Sequence, residues 1–480
     1  EFGDIGTGQA TGFVVDAKRG IILTNRHVVG PGPFFGYAVF DNHEEAVVKP
    51  IYRDPVHDFG FLRYDTSEIK YMEVHEIMLD PEGASVGTEI RVVGNDAGEK
   101  LSILGGIISR IDRMAPYYGD ETYNDFNTEY FQASASATGG SSGSPVIDIK
   151  GNAVALQAGG MWGASTDFFL PLSRPKRALE CIQLGKPITR GDIKVKWELR
   201  PFEECERLGL GEEYLMEARA IFPRNIGLLQ AVVVLPEGPA DGKIQEGDTL
   251  ISIDGHFIGG HVLVDELLDE RIGKSVEFVF QRNKTTHKEK ITVGDIHSIT
   301  LNKFITINNE AFFPASYQNA MASYVPIRGV CNGRGKYVIR INDKPVTDLE
   351  SFINIVKEIP DLQKFEWVEE AKQWHSFFPN REIKRFVRNS NPGMFLATRN
   401  DEKGIWDFEL LQKEPLAPIK PSPKKGTYSV PSFSNESCNL LAKSFVTIQY
   451  NELRYDVCQS SPLSTHGLAL DADKGYVIIS

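Results

Sequence analysis

Cysteine is scarce in this chain: Cys181, Cys205, Cys331, Cys438 and Cys458 are widely spaced, with no C-x-x-C pair and no Cys/His ligand spacing. That argues against a disulfide framework and a zinc site, and it fits a reducing compartment. Nothing in the sequence signals a metal or any other cofactor. No apolar run approaches the roughly 20 residues a bilayer helix needs, and no signal-peptide pattern opens the chain, so no membrane partner is expected. Positive charge is also in deficit, with 52 Lys and Arg against 65 Asp and Glu and a net charge of −13. A general nucleic-acid binder needs clustered cations to neutralise phosphates, so that class is set aside. The short basic clusters at Arg174-Pro175-Lys176-Arg177 and at 381–388 read as solvated surface. Long amphipathic helices are missing before Leu172.

What is present between residues 10 and 180 is a series of short β-prone segments separated by Gly, Pro and Asn turns, as in a sandwich or barrel. Residues 190–295 change character: strand-like Leu228–Leu235, a Pro/Gly turn, helical Val262–Asp269 and a last strand Ser275–Arg282 make a small α+β module. A weaker echo of the same order runs from about 300 to 410. Residues 412–431 hold five prolines and read as an extended linker. The segment 467–480 aligns without a gap on 12–25, which points to a duplicated unit. The expected division is therefore 1–186, 187–296, 297–411, a linker at 412–434, and the opening strands of a second copy of the first unit at 435–480.

The stretch "ASATGGSSGSPV" at 135–146 has the composition of a flexible linker, yet it runs directly into the β-prone Pro145–Ile149. A loop tied to a strand can hold a side chain in place. A serine hydroxyl is a poor nucleophile until a neighbouring base takes its proton and a carboxylate orients that base. Spacing prefers Ser142 by a modest margin, because Gly140 and Gly143 flank it and permit a tight turn. Ser141 is a close rival, and Ser144 has no glycine after it. The base candidate is His27, where the chain leaves an apolar strand; taken alone, a histidine there is more often structural. Asp58 opens the strand Phe59–Leu62 and could equally be a turn residue. Asp54, before a proline, reads as plain turn chemistry, and Asp65 lies past the strand. The order His, Asp, Ser on a β-rich background matches the chymotrypsin-like arrangement and lacks the G-x-S-x-G of α/β-hydrolases, which demotes a small-ester hydrolase.

The segments "ATGFVVDAKRGIILTNRHVVGPG", "DPVHDFGFLRYD", "VGNDAGEKLSILGGIISRIDR" and "GGSSGSPV" resemble the HtrA (DegP-like) serine proteases, and within them the fungal nuclear branch with tandem protease and PDZ units. "EGPADGKIQEGDTLISIDG" is similar to a PDZ domain. The resemblance implies an all-β chymotrypsin-like double β-barrel protease domain, two α+β PDZ-like domains, and the start of a second, degenerate protease-like β-barrel. It implies His27 as general base, Asp58 as its orienter and Ser142 as nucleophile, with the N–H groups of Gly140 and Ser142 as the oxyanion hole. Ser136, where trypsin-like members carry an Asp, implies small or aliphatic rather than basic residues at the cleavage site. "RLGLG" resembles the carboxylate-binding loop, so Leu208, Gly209 and Leu210 are expected to hold peptide C-termini; an ordinary glycine turn is the equal alternative. Between Val330 and Tyr337 the second PDZ-like unit lacks the Pro/Gly-Asp segment of the first, which puts its groove in doubt. The implied function is ATP-independent cleavage of unfolded or flexible polypeptides, linked to protein quality control and apoptosis. The implied setting is the nucleus, with the cytoplasm as alternative, and the implied assembly a homo-oligomer, often a trimer. The competing class is a chaperone-like or PDZ scaffold with a vestigial protease fold.

Overall fold

The computed structural model describes residues 8–411 except 31, 97–100, 117–123, 136–137, 161–165, 308–309, 316–328, 333–335, 361–362, 374–375, 386–393 and 401–402, and beyond them four strands between 445 and 479. Ser136 and the linker at 412–434 therefore lie outside the described residues.

Two β-layers make the first unit. The first is a five-stranded antiparallel sheet of β1 (Phe13–Asp16), β2 (Ile21–Thr24), β3 (Gly36–Val39), β4 (Glu45–Arg53) and β5 (Gly60–Tyr64), in the order β1-β2-β5-β4-β3. One turn of helix, α1 (Arg26–Val29), follows β2. The second is a closed barrel of β6 (Glu89–Gly94), β7 (Ser102–Met114), β8 (Glu129–Ala133), β9 (Pro145–Ile147), β10 (Ala153–Gly160) and β11 (Asp167–Pro171). Closure removes the edges that short strands would otherwise expose. The layers share a core: Phe13, Leu23, Phe59 and Phe61 pack with Tyr130, Leu156 and Leu170, under helix α2 (Ser173–Leu184). Phe59 and Phe61 are fully buried, each worth about 1.5–3 kcal/mol, and they anchor the strand start that carries Asp58.

The second unit is a six-stranded antiparallel sheet with helices, beside a two-stranded sheet formed by its first and last strands. Its strands are β12 (Gly191–Asp192), β13 (Val195–Pro201), β14 (Gly227–Val234), β15 (Thr249–Ile253), β16 (His256–Phe257), β17 (Ser275–Arg282), β18 (Thr285–Thr292) and β19 (Gly294–Asp295). The main sheet runs β13-β14-β15-β17-β18, so β13 is an end strand. Helix α5 (His261–Asp269) buries Val264, Leu267 and Leu268 against Val195 and Trp197 of β13. Two further helices, α3 (Phe202–Arg207) and α4 (Glu212–Ile221), pack Cys205 and Ala218 against Leu228 and Ile251.

A larger sheet between Lys303 and Leu410 follows, with helix α6 (Leu349–Glu358) on it. It repeats the strand–turn–helix order and adds a long hairpin, Lys364–Gln373 with Ser376–Arg385. In the last stretch Leu468–Asp471 pairs with Tyr476–Ile479, as β1 pairs with β2.

Candidate active site

All four residues of β2 are buried, so the strand must end at the polar Thr24 and Asn25. Asn25 Nδ2 donates to the Asp58 carbonyl at 3.0 Å, which fixes where α1 starts. The Asp58 turn is set by Asp54, whose Oδ1 accepts from the backbone N–H of Val56 at 2.9 Å and of His57 at 2.7 Å. These two devices bring His27 and Asp58 together. Asp58 Oδ1 accepts from the His27 backbone N–H at 3.0 Å, and Nδ1 of the imidazole lies 3.0 and 2.8 Å from the two carboxylate oxygens. The Asp58 side chain is 3% exposed and that of His27 38% exposed, so the ring is held from behind and open in front.

The serine turn is fastened to the same strand end. Thr11 N donates to the Ser142 carbonyl at 2.8 Å, Thr11 Oγ1 donates to the Gly140 carbonyl at 2.9 Å, and the Thr11 carbonyl accepts from Thr24 Oγ1 at 2.8 Å. Gly143 N donates to the Gln157 carbonyl at 3.0 Å, tying the turn to β10. Gly140 and Gly143 sit at φ +102° and +83°, where a side chain is strained.

The three rival serines now differ. Ser141 is buried and donates its hydroxyl to Asp96 at 2.9 Å. Ser144 is fully buried against Gly94. Ser142 is half-exposed, and its Oγ has no hydrogen-bond partner among the described residues. The link from Ser142 to His27 is unmade here; such bonds often tighten only when substrate binds. The backbone N–H groups of Ser141, Gly143 and Ser144 are all bonded within the protein, whereas those of Gly140 and Ser142 have no acceptor among the described residues.

Some expectations need correction. The amides of Leu208, Gly209 and Leu210 donate to the carbonyls of Glu204, Glu206 and Cys205, and the Gly209 carbonyl accepts from Lys284 N. This loop closes α3 against the β17–β18 turn and leaves no amide for a carboxylate. Arg174 is buried, not solvated: it pairs with Asp265 of α5 and donates to Thr128 Oγ1 at 3.0 Å. Asp54 does more than shape a turn. It is fully buried and pairs with Arg190, whose guanidinium also lies 3.5 Å from both Asp265 and Asp269. Burial would raise the Asp54 carboxyl, but Arg190 and His57 outweigh it and hold it far below the usual range. Burial, reinforced by Arg174, lowers His57 to about 4, so it is neutral at pH 7.

Sequence reasoning missed Asp125 altogether, because it lies in a polar stretch without periodicity. Its Oδ2 accepts from Asp58 N at 3.0 Å and from the Tyr130 hydroxyl at 2.7 Å. Burial and the nearby Asp58 carboxylate push Asp125 up to about 8. Thr11 and Asp96, which clamp the serine turn, were also missed. Among the described residues no cluster of three or more His, Cys, Asp and Glu could hold a metal ion.

Residues 10–156 match the model of a trypsin-like peptidase domain. The pro-apoptotic serine protease NMA111 of Lodderomyces elongisporus is 53% identical over 98% of this chain and 50% of its own length. The protein of the same name in Saccharomyces cerevisiae is 51% identical over 98% of this chain and 48% of its own. This chain thus spans about half the length of the curated relatives it matches. Among solved structures, the HtrA-type protease AlgW with a decapeptide is 22% identical, covers 60% of this chain and 82% of its own, and has a TM-score of 0.45. By sequence the chain is similar to the pro-apoptotic serine proteases NMA111 of these yeasts, and its start matches a trypsin-like peptidase domain.

Proposed function

We propose that the chain is an ATP-independent serine endopeptidase that cleaves unfolded or loosely structured polypeptides through an acyl-enzyme. The observation that carries this is the serine turn. Among the described residues Ser142 has the free hydroxyl and its turn bears two free amides, and that turn is tied to the strand end leading to the His27–Asp58 pair. In the reaction Ser142 Oγ adds to the scissile carbonyl while His27 Nε2 takes its proton. The oxyanion is met by the N–H groups of Gly140 and Ser142, an effect worth about 2.7–4 kcal/mol per donor where one has been removed. His27 then hands the proton to the leaving amine, the C–N bond breaks, and water repeats the sequence on the ester. Asp58 holds the ring with its proton on Nδ1 and stabilises the imidazolium.

Under this reading 1–186 is the protease unit, 187–296 and 297–411 are PDZ-like units, and 435–480 begins a second protease-like unit. Kinship with pro-apoptotic proteases makes stress and cell death in the nucleus the proposed setting. A chaperone-like or PDZ scaffold that binds unfolded chains without cutting them is the second reading, favoured by the strand–turn–helix order that the third unit repeats from the second. Casein turnover separates them. The wild-type chain should degrade casein and Ser142→Ala should lose that turnover by about 10⁶-fold, with suppression of substrate aggregation unchanged. Equal turnover by both proteins would remove the peptidase reading.

A further inference from the structure

We infer that Asn127 is a positioning residue for this reaction, acting through Asp125 on Asp58 while it closes the free edge of β13. The inference rests on the triad reading above.

As an end strand, β13 turns one row of backbone groups outward, where an added peptide strand would pair. The peptidase unit takes that place. Trp197 N donates to Asn127 Oδ1 at 2.7 Å, and Asn127 Nδ2 donates to the Val195 carbonyl at 2.9 Å. A carboxamide offering one acceptor and one donor to alternate residues mimics a residue of a neighbouring strand. On the far side the same stretch meets α5. Arg174 donates to the Asn127 carbonyl at 3.1 Å and pairs with Asp265, and Glu129 lies 3.4 Å from His261 at the start of the helix. Residues 127–129 thus fill the cleft between β13 and α5.

Asn127 sits at φ +53°, a left-handed conformation that asparagine adopts more readily than most residues and that these bonds maintain. Two positions earlier Asp125 receives the Asp58 N–H, and between them Phe126 is buried with Val56, Val233 and Leu235. One short stretch therefore ties the edge of the second unit to the peptide group of the triad carboxylate. Releasing Asn127 from β13 frees Asp125 to leave Asp58, so docking of the second unit supports the ring that must accept the serine proton.

Asn127→Gly keeps the backbone conformation accessible and removes the carboxamide. In the full chain its fluorophosphonate labelling rate at Ser142 should fall about tenfold to a hundredfold, the usual cost of losing a residue that orients a catalytic group. On a peptide substrate kcat should fall with KM unchanged, and hydrogen exchange at the Trp197 amide should accelerate. Asp125→Asn keeps an oxygen for the Asp58 N–H and should recover most of the labelling rate that Asp125→Val loses. Asp125→Val lacks that acceptor and should match Asn127→Gly; it decides the matter if Asn127→Gly does not fold. A wild-type chain that never labels would sink the peptidase reading itself. A wild type that labels, with Asn127→Gly or Asp125→Val labelling just as fast, would overturn the coupling alone.

Discussion

An Asp58→Asn chain should fold normally and hydrolyse peptide substrates about 10⁴-fold more slowly than wild type, the loss seen when a triad carboxylate becomes an amide. The geometry explains the size. Asp58 Oδ1 receives the His27 backbone N–H, so the one oxygen of an asparagine is drawn to that donor. Its amide nitrogen then faces His27 Nδ1, where a carboxylate oxygen stood at 2.8 Å. An NH₂ donor there forces Nδ1 to accept, which moves the ring proton to Nε2. That nitrogen can no longer take the Ser142 proton, and the imidazolium loses its counter-charge. Steady-state kinetics with a thermal melt checks this: a loss under tenfold in a folded variant would remove Asp58 from the role.

Gly143→Ala is expected to lower kcat/KM by at least about a hundredfold, since a shift near 1 Å in a reacting group costs that much. Gly143 has φ +83°, and a Cβ there would stand 2.1 Å from the Thr11 carbonyl oxygen and 2.3 Å from Thr24 Oγ1. Neither can yield freely, because the Thr24 hydroxyl bonds that carbonyl and the Thr11 N–H holds Ser142. The turn itself must move, taking the nucleophile and its amide with it. Gly139→Ala is the control: a Cβ there meets nothing within 4 Å, so stability should change by less than about 0.5 kcal/mol and activity little. Equal activity of the two variants would mean that the turn does not set the geometry of Ser142.

Much of this was legible in the residues because it is local. The apolar run Ile21–Leu23 ends where its burial ends, and His27 follows from that. Gly140 and Gly143 announce a turn no other residue adopts easily, and both show positive φ. The choice among Ser141, Ser142 and Ser144 was only partly legible, since it depends on Asp96 and Gly94, which the pairing of β6 with β9 brings to the turn from far along the chain. The same holds for Arg174 and Arg190. Arg174 reads as a surface cation until helix α5 supplies Asp265, and the buried place of Arg190 likewise depends on α5, 75 residues or more away. Leu208–Leu210 misled in the opposite direction: a glycine-rich pattern has the same composition whether its amides are free or spent on the preceding helix.

Peptidase activity in this chain requires Ser142 as the activated hydroxyl. Treating the full chain with a fluorophosphonate and mapping the adduct by peptide mass spectrometry tests that directly. The predicted result is one adduct per chain, at Ser142, absent in His27→Ala. An adduct on Ser141 or Ser144, or labelling of Ser142 that His27→Ala leaves undiminished, would contradict it.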